Sequence, residues 1–172
     1  METKQIKVYS FDELSEEVKN KVIIAMQEGE EFYFLEDCLK DDLKQELKNN
    51  KITPLKEPIL NYSLNYCQGD GLKFTGVFKW RQYQVFINDG HLSNLYQHSY
   101  TTDINLETLK GNEVKEKTEE EFKNLYHSIC KDLEKIGYAY IEDALSEDSI
   151  KEQIELNEYI FFENGKIANN YF

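Results

Sequence analysis

The chain has 172 residues, 33 Asp and Glu against 20 Lys and Arg, and a net charge of −13. That length suits one domain, 1–172, with a full core, and 13% aromatic residues with only two prolines exclude a disordered acidic tail. No apolar run of about 18 residues is present to cross a membrane, and the excess of carboxylates disfavours direct binding to nucleic acid, whose phosphates need Lys and Arg.

In chain order, Ile6–Tyr9 reads as a short opening strand. Ser10 with Glu13 has the spacing of a capping box, and Ser15-Glu16-Glu17 repeats the start signal. Phe11, Leu14, Val18, Val22 and Met26 follow at helical spacing until Gly29 stops the helix. A second helix is expected from about Glu30 to Asn49, burying Phe32, Leu35, Leu39, Leu43 and Leu47. Lys40, Lys44 and Lys48 relieve its acids at i,i+4 spacing. Residues 51–58, with Pro54, read as a linker.

Leu60, Tyr62, Leu64 and Tyr66 alternate with Asn61, Ser63 and Asn65, while Leu72, Phe74, Phe78 and Trp80 alternate with Lys73, Thr75 and Lys79. Alternation by twos is strand patterning, and Gln68-Gly69-Asp70-Gly71 between the runs is turn chemistry. The expectation is a β-hairpin. Tyr83–Ile87 makes a third strand, Asn88-Asp89-Gly90 a turn, and Leu95–Ile104 a fourth strand with Tyr96, His98 and Tyr100 on one face. Residues 105–117 form a polar connection. Thr118 with Glu121 opens the longest helix, whose stripe is Phe122, Leu125, Ile129, Leu133, Ile136 and Tyr140, ending near Leu145. Gly137 marks a kink or a close-packing point. Ser146 caps a shorter helix carrying Ile150 and Ile154, and Asn164-Gly165 turns a terminal hairpin of Tyr159–Phe162 with Lys166–Ile167. The fold class is α+β: an antiparallel meander sheet packed on one face by N-terminal and C-terminal helices, with a wet second face of Asn, Ser, Thr and Lys.

The acidity is localised. Phe11–Asn50 holds 12 acids against 5 bases, and Glu113–Glu158 holds 14 against 6. Between them, Lys51–Asn112 holds 5 against 6. The helical segments are therefore acidic and the sheet near neutral. A basic partner is one reading; a solubilising surface is the plainer one.

No catalytic set is assigned. His91 and His98 are seven residues apart, which on one strand points them to opposite faces, so no metal site is expected. His127 reads as a half-buried helix histidine, and Cys67, closing an apolar strand, as buried packing. Cys38, Cys67 and Cys130 lack zinc or redox-motif spacing. Met1–Gln5 lacks a signal peptide's apolar core, so the expectation is a cytoplasmic protein with reduced thiols and no cofactor. Asp70, between two glycines, is either turn geometry or an exposed carboxylate shown to a partner, with Gln68 beside it. Tyr62, Tyr66, Tyr96 and Tyr100 read as core before they read as a ligand-binding face.

The stretch Tyr62-Ser63-Leu64-Asn65-Tyr66-Cys67-Gln68-Gly69-Asp70-Gly71, following Ser10–Glu17, resembles a family of small acidic phage and prophage proteins loosely labelled antitoxin-like. The likeness runs end to end and includes Asn157-Glu158-Tyr159 to Gly165-Lys166. The resemblance brings no established functional residues. It implies an accessory protein in a bacterial host cell that binds a host machine. Joined to the charge layout, it implies an inhibitor of a basic nucleic-acid-handling defence protein, such as a CRISPR effector. Asp37, Asp41, Asp42, Glu119, Glu120 and Glu121 would be the partner-binding acids, with Gln68 and Asp70 at the hairpin tip. The alternatives are an antitoxin-like protein neutralising a toxin, and a small hydrolase or nuclease using the sheet face.

Overall fold

The computed structural model describes residues 6–108, 110 and 114–169. The opening residues and part of the expected 105–117 connection lie outside the described residues. The fold is α+β, with an antiparallel sheet. The chain divides into two compact units, one formed by the Met1–Phe32 and Ile141–Phe172 stretches and the other by Tyr33–Tyr140.

In the first unit both N-terminal start signals are used. The Ser10 N–H donates to Glu13 Oε2 at 2.8 Å, capping a short 3-10 turn over Phe11–Glu13. Helix α1 (Glu16–Gly29) starts afresh after Ser15. The last helix, α4 (Glu147–Leu156), begins at Ser146, whose Oγ accepts from the Ser149 N–H at 3.2 Å. The apolar faces of α1 and α4 join Val22, Ile23, Ile150 and Ile154 with Leu14 and Phe161 in one core. The opening strand and the terminal hairpin shrink to isolated bridges, Tyr9 with Phe161 and Phe161 with Ile167. Gly165 turns at φ +84°, where only glycine is unstrained and where a side chain would also press on Val18 and Val22 at 3.0 Å.

In the second unit, α2 (Leu35–Asn49) starts later than its periodicity predicts. Glu30 is extended, so α1 ends there and Phe32 is left half-buried ahead of the helix. Leu35, Leu39, Leu43 and Leu47 form the buried stripe. The expected linker contains an unforeseen strand, β1 (Ile52–Pro54). Strand β2 (Ile59–Ser63) pairs antiparallel with the first half of β3 (Gly71–Trp80), and β1 pairs with its second half. Strands β4 (Tyr83–Asp89) and β5 (Thr102–Thr108) extend the sheet in the order β1-β3-β4-β5.

Helix α3 (Glu116–Ala144) begins two residues before Thr118, because the Thr118 and Glu119 N–H groups both donate to Lys115 O. Its buried line runs through Phe122, Tyr126, Ile129, Leu133 and Gly137; Leu125, Ile136 and Tyr140 are only half-buried. The aromatic contacts explain the turn of the helix. Phe122 meets Trp80 at 5.1 Å, Tyr126 meets Phe74 at 4.8 Å, and the Tyr126 hydroxyl donates to Phe74 O at 3.1 Å.

Gly137 is a close-packing point and not a kink. A Cβ built there would lie 2.5 Å from Leu64 Cδ1 and 3.5 Å from Leu39 Cδ2. Alanine would gain about 1 kcal/mol of helix propensity, but overpacking a buried seam typically costs about 1–3 kcal/mol. Gly137→Ala is expected to be net destabilising by about 1 kcal/mol in urea unfolding. A double-mutant cycle with Leu64→Ala should show coupling above about 0.5 kcal/mol; additive effects would mean the helix shifts freely.

Residues 91–101 correct the sequence reading most. They are a loop with one 3-10 turn at Ser99–Thr101, and the fourth strand starts only at Thr102. On β3, strand β4 reaches only Gly76–Trp80. The loop closes against the half of β3 that β4 does not reach, with the Gln97 N–H donating to Gly69 O at 3.2 Å. Lys73 and Thr75 are therefore buried, against the expectation of a wet second face.

Candidate functional site

The Tyr-Cys-Gln-Gly-Asp-Gly motif is built around Asp70. The connection between β2 and β3 is Leu64–Asp70, longer than the turn predicted at Gln68–Gly71. Asp70 is buried, not exposed at the tip. Its Oδ1 accepts from Ser63 Oγ at 2.8 Å. Its Oδ2 accepts from the Asn65 N–H at 2.6 Å, the Cys67 N–H at 2.8 Å and the Tyr138 hydroxyl at 3.0 Å. Burial works to raise the Asp70 pKa, but these donors outweigh it and hold the carboxyl below its ordinary value. The same environment pushes Tyr138 up to about 12, first through burial and then through its bond to Asp70. Asp70 thus ties its loop to α3 and offers no free carboxylate. Gln68 is exposed beside it.

Next to this loop lies a cation that strand alternation hides. The Lys73 side chain is 2% exposed, and its Nζ lies 3.0 Å from Asp89 Oδ1. It also donates to Ser93 O at 3.1 Å and Thr101 Oγ1 at 3.3 Å. Lys73 pins the 91–101 loop to β3. Gly71 allows the close approach: a Cβ there would meet Gln97 O and His98 Cα at 3.0 Å.

The predicted acids fall into two groups. Asp37, Asp41 and Asp42 lie on α2; Asp37 and Asp41 are exposed, while half-buried Asp42 accepts from the Tyr140 hydroxyl at 2.9 Å. Asp41 pairs with Lys44 at 2.7 Å. Glu119, Glu120 and Glu121 lie in the first turns of α3. Glu121 receives Arg81 through both guanidinium Nη atoms, one at 3.0 Å, and Glu119 faces Lys123 at 4.0 Å. Asp42 touches α3 at Tyr140, twenty residues beyond Glu120. At 1.5 Å per residue, that contact lies about 30 Å from Glu120 along the helix. They are two separated acidic points, not one cluster.

The candidates for other chemistry are dispersed. His91 and His98 are exposed on the 91–101 loop, and Asp70 is engaged elsewhere. Among the described residues no three His, Cys, Asp or Glu converge as a metal site. His127 is half-buried as predicted, its Nδ1 3.0 Å from Ser99 Oγ and its ring stacked on Tyr100 at 4.0 Å. Burial, with Lys123 nearby, lowers its pKa. Cys67 is exposed, correcting the expectation of a packed thiol. Cys130 is the buried cysteine, and burial pushes its thiol up to about 12. The tyrosines read as core are largely outside it: Tyr66, Tyr96 and Tyr100 are exposed and Tyr62 is half-buried. Tyr66 lies against Tyr138 at 4.6 Å.

Comparison with known protein families, with curated proteins and with solved structures returns no match. The functional reading therefore rests on the residues themselves. No helix of the described residues is long and apolar enough to cross a membrane.

Proposed function

We propose that this chain is a stoichiometric inhibitor, an acidic protein that binds the basic nucleic-acid groove of a host defence protein, such as a CRISPR effector. The observation that carries the reading is the placement of acids on two helices of one unit. Exposed Asp37 and Asp41 stand on α2, and exposed Glu120 stands on α3, about 30 Å along that helix from where Asp42 of α2 touches it. A nucleic-acid channel is a lane of Lys and Arg several phosphates long. Carboxylates at two separated points on a chain of net charge −13 answer such a lane better than one compact cluster would. Surface ion pairs such as Asp41 with Lys44 contribute little in water, so exchange for a partner's cation is cheap.

The test compares the native chain with a triple variant, Asp37→Lys, Asp41→Lys and Glu120→Lys, as bait in a bacterial lysate at low and high salt. The native chain should retain a basic nucleic-acid-binding protein, release it at high salt and block its binding of nucleic acid. The variant should bind that protein at least about tenfold more weakly. Retention indifferent to both salt and charge reversal would sink the reading. Recovery of a small toxin whose activity the chain neutralises would replace it with the antitoxin-like one.

A further inference from the structure

A basic groove lies between α2 and β1. It encloses about 340 Å³ and is rimmed by Lys40, Lys44, Lys48 and Lys51, with Glu57 the opposing charge. Leu43, Leu47 and Ile52 close its base but are only 2–3% exposed, so the apolar surface it shows comes from Pro54, Pro58 and the lysine stems. Pro54 and Pro58 make the far wall. The segment that forms this wall also leaves Leu55 and Ile59 more than half exposed, at 51% and 63%. Four lysines along one groove stand out on a chain of net charge −13.

We propose that this groove is a docking site for an extended segment of a partner protein in which acidic and apolar residues alternate. The spacing supports it. Lys40, Lys44 and Lys48 follow one another four residues apart on a helix, a rise of about 6 Å per step. In an extended chain, residues two apart are separated by about 6.6 Å on the same side. Alternate carboxylates therefore fall into register with successive lysines, and the intervening apolar side chains turn toward Pro54, Pro58 and the lysine stems. Strand β1 offers the matching backbone, since it is the edge of the sheet and pairs only with β3 among the described strands. Pro54, its last residue, limits how far such a segment can pair, so the lysines and the apolar wall carry the recognition.

Two other occupants fit less well. A small amphiphilic carboxylate would answer one lysine of the four. A single nucleic-acid strand would match the charge spacing, but its bases need aromatic rings to stack on, and no aromatic residue is among the described residues that line the groove. Lys40 pairs with Glu36 and Lys44 with Asp41, both in largely exposed ion pairs of 2.6 and 2.7 Å. Such pairs are weak in water and exchange readily.

The test is fluorescence anisotropy with a short labelled peptide of alternating glutamate and leucine. The comparison probes are a glutamate–serine peptide, a lysine–leucine peptide and an oligothymidylate. The native chain should bind the glutamate–leucine peptide saturably and the other three at least about tenfold more weakly. Lys44→Glu with Lys48→Glu, both on the exposed rim, should weaken the peptide about tenfold or more. Lys48→Gln, which removes a charge without reversing one, should fall between. No saturable binding, or binding untouched by the double reversal, would overturn the proposal. Tighter binding of the oligothymidylate would overturn it in favour of a nucleic-acid strand.

Discussion

Lys73→Ala is expected to lower the unfolding free energy by about 4 kcal/mol, among the larger effects a single substitution produces. The change empties a buried volume, which alone typically costs about 2–3 kcal/mol. It also removes the donor to Ser93 O and Thr101 Oγ1 that holds the 91–101 loop against β3. Asp89 contributes less to the loss, because it is 55% exposed and recovers water when its partner goes. Lys73→Met keeps the aliphatic stem and separates the two effects. It should cost about 1.5 kcal/mol, the magnitude of a hydrogen bond to a charged group. The check is urea unfolding of the two variants beside the native chain, with hydrogen exchange at residues 91–101. If alanine and methionine were equally mild, Lys73 would be an incidental burial and the loop would be held by something else.

Asp70→Ala is expected to cost about 3 kcal/mol. Four donors converge on this carboxylate, and hydrogen bonds to a charged group are worth about 1.5–3 kcal/mol each. They do not add, since Asn65 and Cys67 are exposed and water can take up their freed N–H groups. Asp70→Asn should be milder, about 1 kcal/mol, because its amide oxygen can stand where Oδ2 accepts three donors while Ser63 turns to accept from the nitrogen. The pH dependence follows from the lowered pKa of Asp70. The folded state binds fewer protons at this group than the unfolded chain, so stability rises with pH through the window. The stabilisation is fully present above the ordinary aspartate range near pH 4 and is lost as pH falls through the folded value. Native and Asp70→Asn stabilities should therefore differ near neutral pH and converge in acid. A constant difference down to acid pH would mean that the carboxylate's charge plays no part.

Local features were legible in the sequence wherever neighbours in the chain decide them. The capping box of Ser10 with Glu13, the stop at Gly29, the leucine stripe of α2, the β2–β3 hairpin and the length of α3 all depend on residues within a few positions of one another. Periodicity and capping report those interactions directly. So does composition: the confinement of acid to the helical segments is a property of the chain itself.

What only the tertiary structure decided is how distant segments satisfy polar groups. Tyr138 reaches Asp70 across 68 positions, and Ser93 and Thr101 reach Lys73 across 20 and 28. Strand alternation assigns Lys73 to water because it sees only one strand, and here a loop supplies the second surface. The same blindness turned a buried loop anchor, Asp70, into a candidate partner contact. It also read the α2 lysines only as relief for neighbouring acids, since nothing in their spacing announces that β1 lies alongside. A buried charge is tolerable only with partners close by, and partners brought in from elsewhere in the chain are what a one-dimensional pattern cannot show.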